Sequence, residues 1–267
     1  MKLNGKVVVV TGAGNGMGRE LTLQLIKKGA KVAAVDIRAE SLAETKELAS
    51  ALGGVVETFT LDISDVSKVL ELPSDVEKKI GSADVLINNA SAIQLTNTLN
   101  TDMKKFDLMH QVNARGSYLC AKACLPYLLK AENPHIITLS PPLNMETKWF
   151  KHHLAYSMAK FGMSMVTLGL AGEFEGKVAV NSLWPKTIIA TAAIEFAVGN
   201  AEMLKLARKP SIMADAAFEI VQRDAKTYSG KFLIDEDVLR EAGVSDFSMY
   251  KNDPNVSDAQ LIPDFFI

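Results

Sequence analysis

The stretch that decides the fold is VVVVTGAGNGMG, residues 7–18, in which a run of valines leads directly into a cluster of glycines. The four valines at 7–10 predict a strand that is buried on both faces, as in the middle of a parallel sheet. The glycines permit a tight turn, and a helical pattern over residues 18–28 follows at once, with Leu21 and Leu25 on one stripe. A strand, a glycine loop and a helix are therefore predicted in immediate succession.

The rest of the chain repeats this alternation of apolar runs and helical periodicity. The pattern implies right-handed crossovers and one parallel sheet covered by helices on both faces, a doubly wound α/β domain of Rossmann type with about seven strands. Pro73 is expected to interrupt or kink one helix, and Pro126 to weaken another. The other predicted strands are 32–35, 55–61, 85–87, 136–139, 178–183 and 231–234, and the other predicted helices are 39–52, 65–80, 103–129, 153–174, 190–207 and 212–222.

A single domain is predicted to span residues 1–267. From residue 235 the sequence is polar and irregular as far as Leu261, and it ends in the apolar residues Phe265, Phe266 and Ile267. We therefore expect residues 235–267 to form an extension that packs on the body of the domain or on a neighbouring subunit.

Composition and charge indicate which kind of molecule the protein binds. The net charge of −2 and the pI of about 6.1 come with no basic stripe, which argues against nucleic acid. No stretch approaches the roughly 20 apolar residues that span a bilayer, and the N-terminal run lacks the features of a secretory signal. Cys120 and Cys124 are read as small buried hydrophobes, with no metal expected. We therefore expect a cytoplasmic protein whose partner is a small molecule.

The glycine loop itself predicts a phosphate site. Glycines allow close approach of the backbone, and the N-terminus of the following helix offers free N–H groups and a positive dipole end to a pyrophosphate. A glycine-rich turn without a ligand is the alternative, but the strand before it and the helix after it favour a dinucleotide. The expected contacts are Gly12, Gly14, Asn15, Gly16, Met17 and Gly18.

Asp36 closes the second predicted strand, about twenty residues beyond the glycines. A carboxylate there can accept hydrogen bonds from the ribose hydroxyls of NAD, and it would repel the 2′-phosphate of NADP. Arg38 lies close enough to soften that preference. We expect NAD as the cofactor, with NADP less favoured.

Further polar residues follow the third and fourth strands, at the edge of the sheet where ligands bind. Asp62 with Ile63 is expected near the adenine, although Asp62 could instead cap the next helix. Asn89 and Ala90 are expected to border the cofactor from the fourth strand.

The catalytic prediction rests on Tyr156 and Lys160. Residues at i and i+4 lie on one face of a helix, one turn apart. A free tyrosine has a pKa near 10, and a cation held close lowers it, so that the phenol can exchange a proton with an alcohol or carbonyl oxygen. A Tyr–Lys pair on an exposed helical surface is the alternative.

These motifs together resemble the short-chain dehydrogenase/reductase family, in order and spacing over nearly the whole chain. From residue 84 onward the chain looks closer to the hydroxysteroid dehydrogenase-like branch, without that branch's sterol-carrier domain. The residues that carry the resemblance are 11–18, 88–90, Asn113, Tyr156 and Lys160, together with LINNASAIQLTNTL (86–99), LSPPLN (139–144), AYSMAKFGMSM (155–165), NSLWPKT (181–187) and PDFFI (263–267).

The resemblance implies roles for individual residues. Tyr156 would be the general acid/base, and Lys160 would lower its pKa and bind the nicotinamide ribose. Asn113 would help to hold a water in the proton relay, and Pro185 and Thr187 would border the nicotinamide carboxamide. Relatives also imply a homodimer or homotetramer.

The family's serine, which polarises the substrate oxygen, has no clear counterpart. Counted back from the tyrosine it would fall at Leu143, and counted forward from Asn113 at Pro141. Ser140 is the nearest hydroxyl and the expected donor, although a one-residue shift in a regular strand would turn it to the other face. Asn144 is the reserve candidate.

Leu143, Trp149, Phe150 and Trp184 are expected to form an apolar wall of the substrate pocket, with ordinary loop packing as the alternative. The sequence thus predicts an NAD(H)-dependent oxidoreductase that interconverts an alcohol and a carbonyl compound, with a steroid, fatty or terpenoid substrate. The displaced serine leaves open a cofactor-binding protein without turnover. An epimerase or a dehydratase of the same fold is also open.

Overall fold

A computed structural model describes residues 3–191 and 201–267. Its centre is one parallel sheet of seven strands in the order β3-β2-β1-β4-β5-β6-β7. The predicted doubly wound fold is confirmed, and each predicted strand is present to within a few residues. The strands are β1 Val7–Thr11, β2 Lys31–Asp36, β3 Val55–Thr60, β4 Val85–Asn88, β5 His135–Thr138, β6 Ala179–Trp184 and β7 Phe232–Ile234.

Helices cover both faces of the sheet, and the valines of β1 show why. Val8 and Val10 belong to the core that packs on one face, whereas Val7 and Val9 belong to the core on the other. Side chains alternate along a strand, so a run without polar residues is stable only between two covered faces. The helices are α1 Gly16–Lys27, α2 Ala39–Ala51, α3 Val66–Ile80, α4 Met103–His110, α5 Ser117–Leu128, α6 Leu154–Glu173, α7 Ala201–Lys205, α8 Ser211–Val221 and α9 Asp235–Glu241.

Helical backbone runs from Met103 to Leu128, close to the predicted 103–129, with one local departure from α-helical geometry. A π-helical segment, Gln111–Gly116, separates α4 from α5. Its extra residue per turn places the fully buried Asn113 against the loop after β4, where the side chain pairs with the backbone of Ala92. This pairing is between residues distant in sequence, and the local helical pattern carries no sign of it.

Two other expectations are corrected. Pro73 does not interrupt α3, because it is buried in the helix beside Val69 and Leu72, and their packing on the sheet holds the helix together. The tail is not irregular from residue 235, because α9 begins there. Its three acidic residues lie in the first turn, where they complement the helix dipole.

Of the predicted helix over 190–207, residues 192–200 lie outside the described residues, and α7 is the part the structure gives. Across the described ranges, no helix combines the length and the apolar character needed to cross a lipid bilayer. Both cysteines are buried on α5, as expected for small apolar side chains.

Candidate active site

The glycine loop joins the carboxyl end of β1 to the start of α1. Gly12 and Gly16 have φ values of +67° and +53°, which favour glycine. A Cβ at Gly18 would overlap the carbonyl oxygen of Gly12 and lie 2.7 Å from its carbonyl carbon. The loop therefore folds tightly against the first turn of α1, and only glycine fits at residue 18.

The end of β4 holds this loop in place. The side-chain amide of Asn89 donates to the carbonyl oxygens of Thr11 (2.8 Å) and Gly12 (3.1 Å). In return, the Thr11 hydroxyl accepts the backbone N–H groups of Asn89 and Ala90, each at 3.1 Å. Four hydrogen bonds thus connect two motifs that the sequence analysis treated separately.

Asp36 ends β2 beside the loop. One of its carboxylate oxygens accepts the backbone N–H of Gly14 at 2.9 Å, and the other accepts the N–H of Arg38 at 3.0 Å. These bonds fix the carboxylate at the rim of the sheet, where it still lines the groove described next.

A groove of about 430 Å³ runs along the carboxyl edge of the sheet. Its floor is glycine, the N-terminus of α1 opens onto it, and a carboxylate lies on its wall. These features fit the phosphates and ribose of a dinucleotide. Of the predicted cofactor residues, those on its wall are Gly12, Asn15, Gly16, Met17, Gly18, Asp36, Asp62, Ile63, Asn89 and Ala90.

Gly14 is the exception in the loop, since it is not on the wall and its N–H is bound to Asp36. The carboxylate of Asp62 accepts the N–H of Ser64 in the turn before α3. Sequence reasoning missed Ser91 and Thr191, which lie where the groove meets a second cavity. Ser91 directly follows the motif residues Asn89 and Ala90, which were the available signal, whereas no local motif identifies Thr191.

The second cavity, about 120 Å³, shares Met17, Asn89, Ser91 and Thr191 with the groove. We call it the catalytic cavity. Its wall brings together residues from seven parts of the chain that are distant in sequence. They are Met17, Asn89, Ser91, Ile93, Leu139, Tyr156, Lys160, Trp184, Pro185, Ile189, Thr191, Met213, Asp264 and Phe265.

Tyr156 and Lys160 both lie on this wall and are 6% and 4% exposed. The Lys160 ammonium donates to the carbonyl oxygen of Leu139 at 2.9 Å and lies 5.0 Å from the ring centroid of Trp184. Burial lowers the pKa of Lys160 to about 7, and the nearby charge of Asp264 opposes this shift.

The direction of the tyrosine shift differs from the expectation. Burial raises the pKa of Tyr156 above its usual value, and the Asp264 charge raises it further. The sequence suggested a lowered pKa because it identified the cation but neither the burial nor the carboxylate. Both effects favour the neutral form of the Tyr156 phenol.

Asp264 is the main residue that sequence reasoning missed. It is only 8% exposed, its N–H donates to the carbonyl oxygen of Lys186 at 3.1 Å, and burial raises the pKa of its carboxyl to about 7. The neighbouring Phe265 accepts the indole N–H of Trp184 at 2.7 Å through its carbonyl oxygen. An acidic residue inside the apolar run PDFFI was the available signal.

Asn113 and Thr187 lie away from the catalytic cavity. The Asn113 side chain accepts the N–H of Ala92 at 2.7 Å and donates to the carbonyl oxygen of Ala92 at 3.0 Å. Thr187 is buried and pairs with Pro263 of the tail, whereas Pro185 does line the cavity.

The two candidates for the serine role are not brought to the cavity either. Ser140 is fully buried beyond the end of β5, and it is not part of the cavity wall. Asn144 hydrogen-bonds Glu146 within its own loop. The expected donor to the substrate oxygen is therefore absent from the wall at both positions.

The four predicted pocket residues have different positions. Trp184 lines the cavity. Leu143, Trp149 and Phe150 pack beside it in an aromatic cluster centred on Phe266, which stacks near Tyr156 at 6.3 Å between ring centroids. These three support the wall from behind.

Comparisons with known proteins agree with this geometry. The short chain dehydrogenase family model matches residues 6–198. Hydroxysteroid dehydrogenase-like protein 2 is 45% identical to this chain in Danio rerio and 43% identical in Homo sapiens, over 273 residues in each case. Those alignments cover 100% of this chain but 65% and 64% of the relatives, so the chain spans about 65% of their length.

A solved structure shows that the similarity includes the three-dimensional fold. A Xanthomonas campestris protein described as a candidate dehydrogenase has a TM-score of 0.93 and 43% sequence identity, covering 100% of this chain and 99% of its own. Residues 6–198, which match the family model, include the glycine loop, Asp36, Tyr156 and Lys160. The chain therefore belongs to the short-chain dehydrogenase/reductase family, in the branch of the hydroxysteroid dehydrogenase-like proteins.

Proposed function

We propose that this protein is an NAD(H)-dependent oxidoreductase that interconverts an alcohol and a carbonyl compound. One observation carries the proposal: the groove with its glycine floor and the cavity with Tyr156 and Lys160 are continuous, because Asn89 and Thr191 line both. A dinucleotide whose phosphates lie at the start of α1 would reach this phenol with its other end.

The residues that would hold the cofactor follow from that groove. The N–H groups at the start of α1 would face the phosphates, Asp36 would accept hydrogen bonds from the hydroxyls of one ribose, and Lys160 would donate to the other ribose. When bound, the nicotinamide supplies the hydride chemistry, whereas the protein supplies orientation and proton transfer.

The proton is assigned to the hydroxyl oxygen of Tyr156. In the direction of carbonyl reduction, the neutral phenol donates its proton to the substrate oxygen, and the raised pKa of Tyr156 favours this protonated form. In the direction of alcohol oxidation, the Lys160 ammonium stabilises the phenolate that must accept the proton.

A hydrophobic substrate is supported by the cavity wall. Ile93, Trp184 and Phe265 offer apolar and aromatic surface beside the phenol. We propose a steroid, fatty or terpenoid alcohol or carbonyl compound, because such molecules gain free energy by leaving water for this surface.

The rival function is a cofactor-binding protein with little or no turnover. Its support is the position of Ser140, which leaves the expected donor to the substrate oxygen off the cavity wall. An epimerase or dehydratase would use the same cofactor groove, and no described residue favours either over a dehydrogenase.

The test is the variant Tyr156→Phe, with Tyr118→Phe as a matched control because Tyr118 is 50% exposed on α5. Turnover is followed at the nicotinamide absorbance band with a panel of hydrophobic alcohols and ketones, and NADH affinity is followed by fluorescence. We expect Tyr156→Phe to lose at least about a hundredfold in kcat while it keeps its affinity for NADH, since acid–base catalysis contributes roughly that much. Undiminished turnover in Tyr156→Phe would refute the role of Tyr156. If wild-type protein binds NADH but turns over none of the substrates, the result would favour a cofactor-binding protein without turnover.

A further inference from the structure

The tail brings an acidic side chain into the catalytic cavity. Backbone hydrogen bonds anchor the tail next to β6: Ile188 donates to Ile262 at 3.0 Å, and Asp264 donates to Lys186 at 3.1 Å. The ring of Phe266, 4% exposed, packs behind Tyr156 and Trp184. Asp264 is therefore held on the cavity wall by its neighbours on both sides, and its carboxylate also accepts the backbone N–H of Phe265.

Charge in the cavity is balanced between two side chains. Of the described residues that line it, only Lys160 and Asp264 are ionisable as a cation and an anion at neutral pH. Lys160 alone would give the cavity a positive charge. The oxidised nicotinamide ring also carries a positive charge, whereas the reduced ring is neutral, and like charges in a buried site repel. A cavity with Lys160 alone would therefore favour the reduced cofactor.

We propose that Asp264 is a charge-selecting residue of the cofactor site, whose buried carboxylate offsets Lys160 and makes the cavity accept the oxidised, cationic nicotinamide in preference to the reduced form. This inference rests on the proposed function, because it requires the nicotinamide end of the cofactor to enter the catalytic cavity. It adds a determinant that lies outside the glycine loop and outside the Tyr156–Lys160 pair.

The size of the effect follows from the burial of both groups. Asp264 and Lys160 line one cavity of about 120 Å³, and the Asp264 charge acts on Lys160 across it. A nearby opposite charge shifts a protonation equilibrium by about tenfold or more, and the same kind of Coulomb energy would act on the redox form of a ring bound in this cavity. Removal of the carboxylate should therefore change the ratio of the two dissociation constants on the order of tenfold. A merely structural role for Asp264 would weaken both forms together and leave their ratio unchanged.

The experiment measures dissociation constants for NAD⁺ and NADH with no substrate present, by calorimetry and by nicotinamide fluorescence. Asp264→Asn keeps the shape and removes the charge. Asp258→Asn is the control, because it removes the same charge from an exposed residue of the tail that pairs with Lys251. We expect NAD⁺ affinity to fall about tenfold relative to NADH affinity in Asp264→Asn alone.

The outcomes separate the two proposals. If wild-type protein binds neither nucleotide, the cofactor assignment fails, and the role of Asp264 fails with it. If both nucleotides bind and Asp264→Asn leaves the ratio unchanged, only the role of Asp264 is overturned. Asp264→Asn leaves the buried Lys160 ammonium without its counter-charge, so folding of the variant is checked by urea unfolding before the affinities are compared. Asp264→Ala removes the same charge with less volume and should give the same ratio.

Discussion

Replacement of Gly18 by alanine tests the claim that the glycine loop must approach α1 closely. The new Cβ would overlap the carbonyl oxygen of Gly12 and lie 2.5 Å from the side-chain nitrogen of Asn89. Neither neighbour is a flexible side-chain end, because one is backbone and the other is fixed by its own hydrogen bonds to Thr11 and Gly12. The loop and the end of β4 must therefore move apart.

The cost can be worked from those contacts. If both hydrogen bonds of the Asn89 amide are broken, each buried group left without a partner costs about 1–3 kcal/mol, or about 2–6 kcal/mol together. Against this cost, the higher helix propensity of alanine stabilises α1 by about 1 kcal/mol. We expect Gly18→Ala to be destabilised by about 1–5 kcal/mol. Its NADH affinity should fall by about tenfold to a hundredfold for each N–H bond to the phosphates that is lost, since each such bond to a charged group contributes about 1.5–3 kcal/mol.

Gly169 provides the matched control. It is exposed on α6, and a Cβ there would meet no atom within 4 Å. Gly169→Ala should gain about 0.8–1.0 kcal/mol from helix propensity and leave NADH binding unchanged. Urea unfolding and fluorescence titration measure both quantities for both variants. A Gly18→Ala protein as stable as wild type, with intact NADH affinity, would show that the close approach is not required.

Three further predictions follow from other parts of the structure. Asp36→Ala should lower NAD affinity about tenfold to a hundredfold and reduce the difference between the affinities for NAD and NADP, measured by competitive titration. A larger difference in favour of NAD would contradict the role given to this carboxylate. Burial lowers the pKa of His135 from 6.5 to about 4, so the unfolded chain takes up a proton first as the pH falls. The free energy of unfolding, measured in urea, should fall by about 3 kcal/mol as the pH is lowered from 6.5 to 4. In a His135→Gln variant it should fall by less. Met158 and Leu168 are 43% and 51% exposed on α6, and we expect this apolar face to mediate a homo-oligomer that Leu168→Lys dissociates in sedimentation experiments; an unchanged sedimentation coefficient would argue against it.

The sheet could be predicted because its signal is local. A strand buried on both faces must be apolar at successive positions, as at residues 7–10, and that requirement is visible in any short window of sequence. The groove at the carboxyl edge of the sheet was predictable for a related reason. The carboxyl ends of parallel strands share one edge, so Asp36 and Asn89 meet there once the strand order is known.

What could not be predicted depends on contacts between distant residues. The π-helical segment between α4 and α5 goes with the pairing of Asn113 and Ala92, which no periodicity reveals. The position of Ser140 depends on where β5 ends, and β5 ends at Thr138, one residue earlier than the apolar run suggests. Asp264 reaches the cavity only because the tail folds back beside β6.

The charge balance in the catalytic cavity has a consequence that a double substitution can test. If Asp264 acts by offsetting Lys160, the two charges act on the nicotinamide in opposite directions, so the effects of removing each should cancel in the affinity ratio. Asp264→Asn leaves an unbalanced ammonium and should disfavour NAD⁺ relative to NADH. Lys160→Met with Asp264→Asn leaves a neutral cavity, so the affinity ratio should return toward the wild-type value, even though loss of the lysine weakens both forms. A double variant with the same ratio as Asp264→Asn alone would mean that Asp264 acts on the nicotinamide without reference to Lys160.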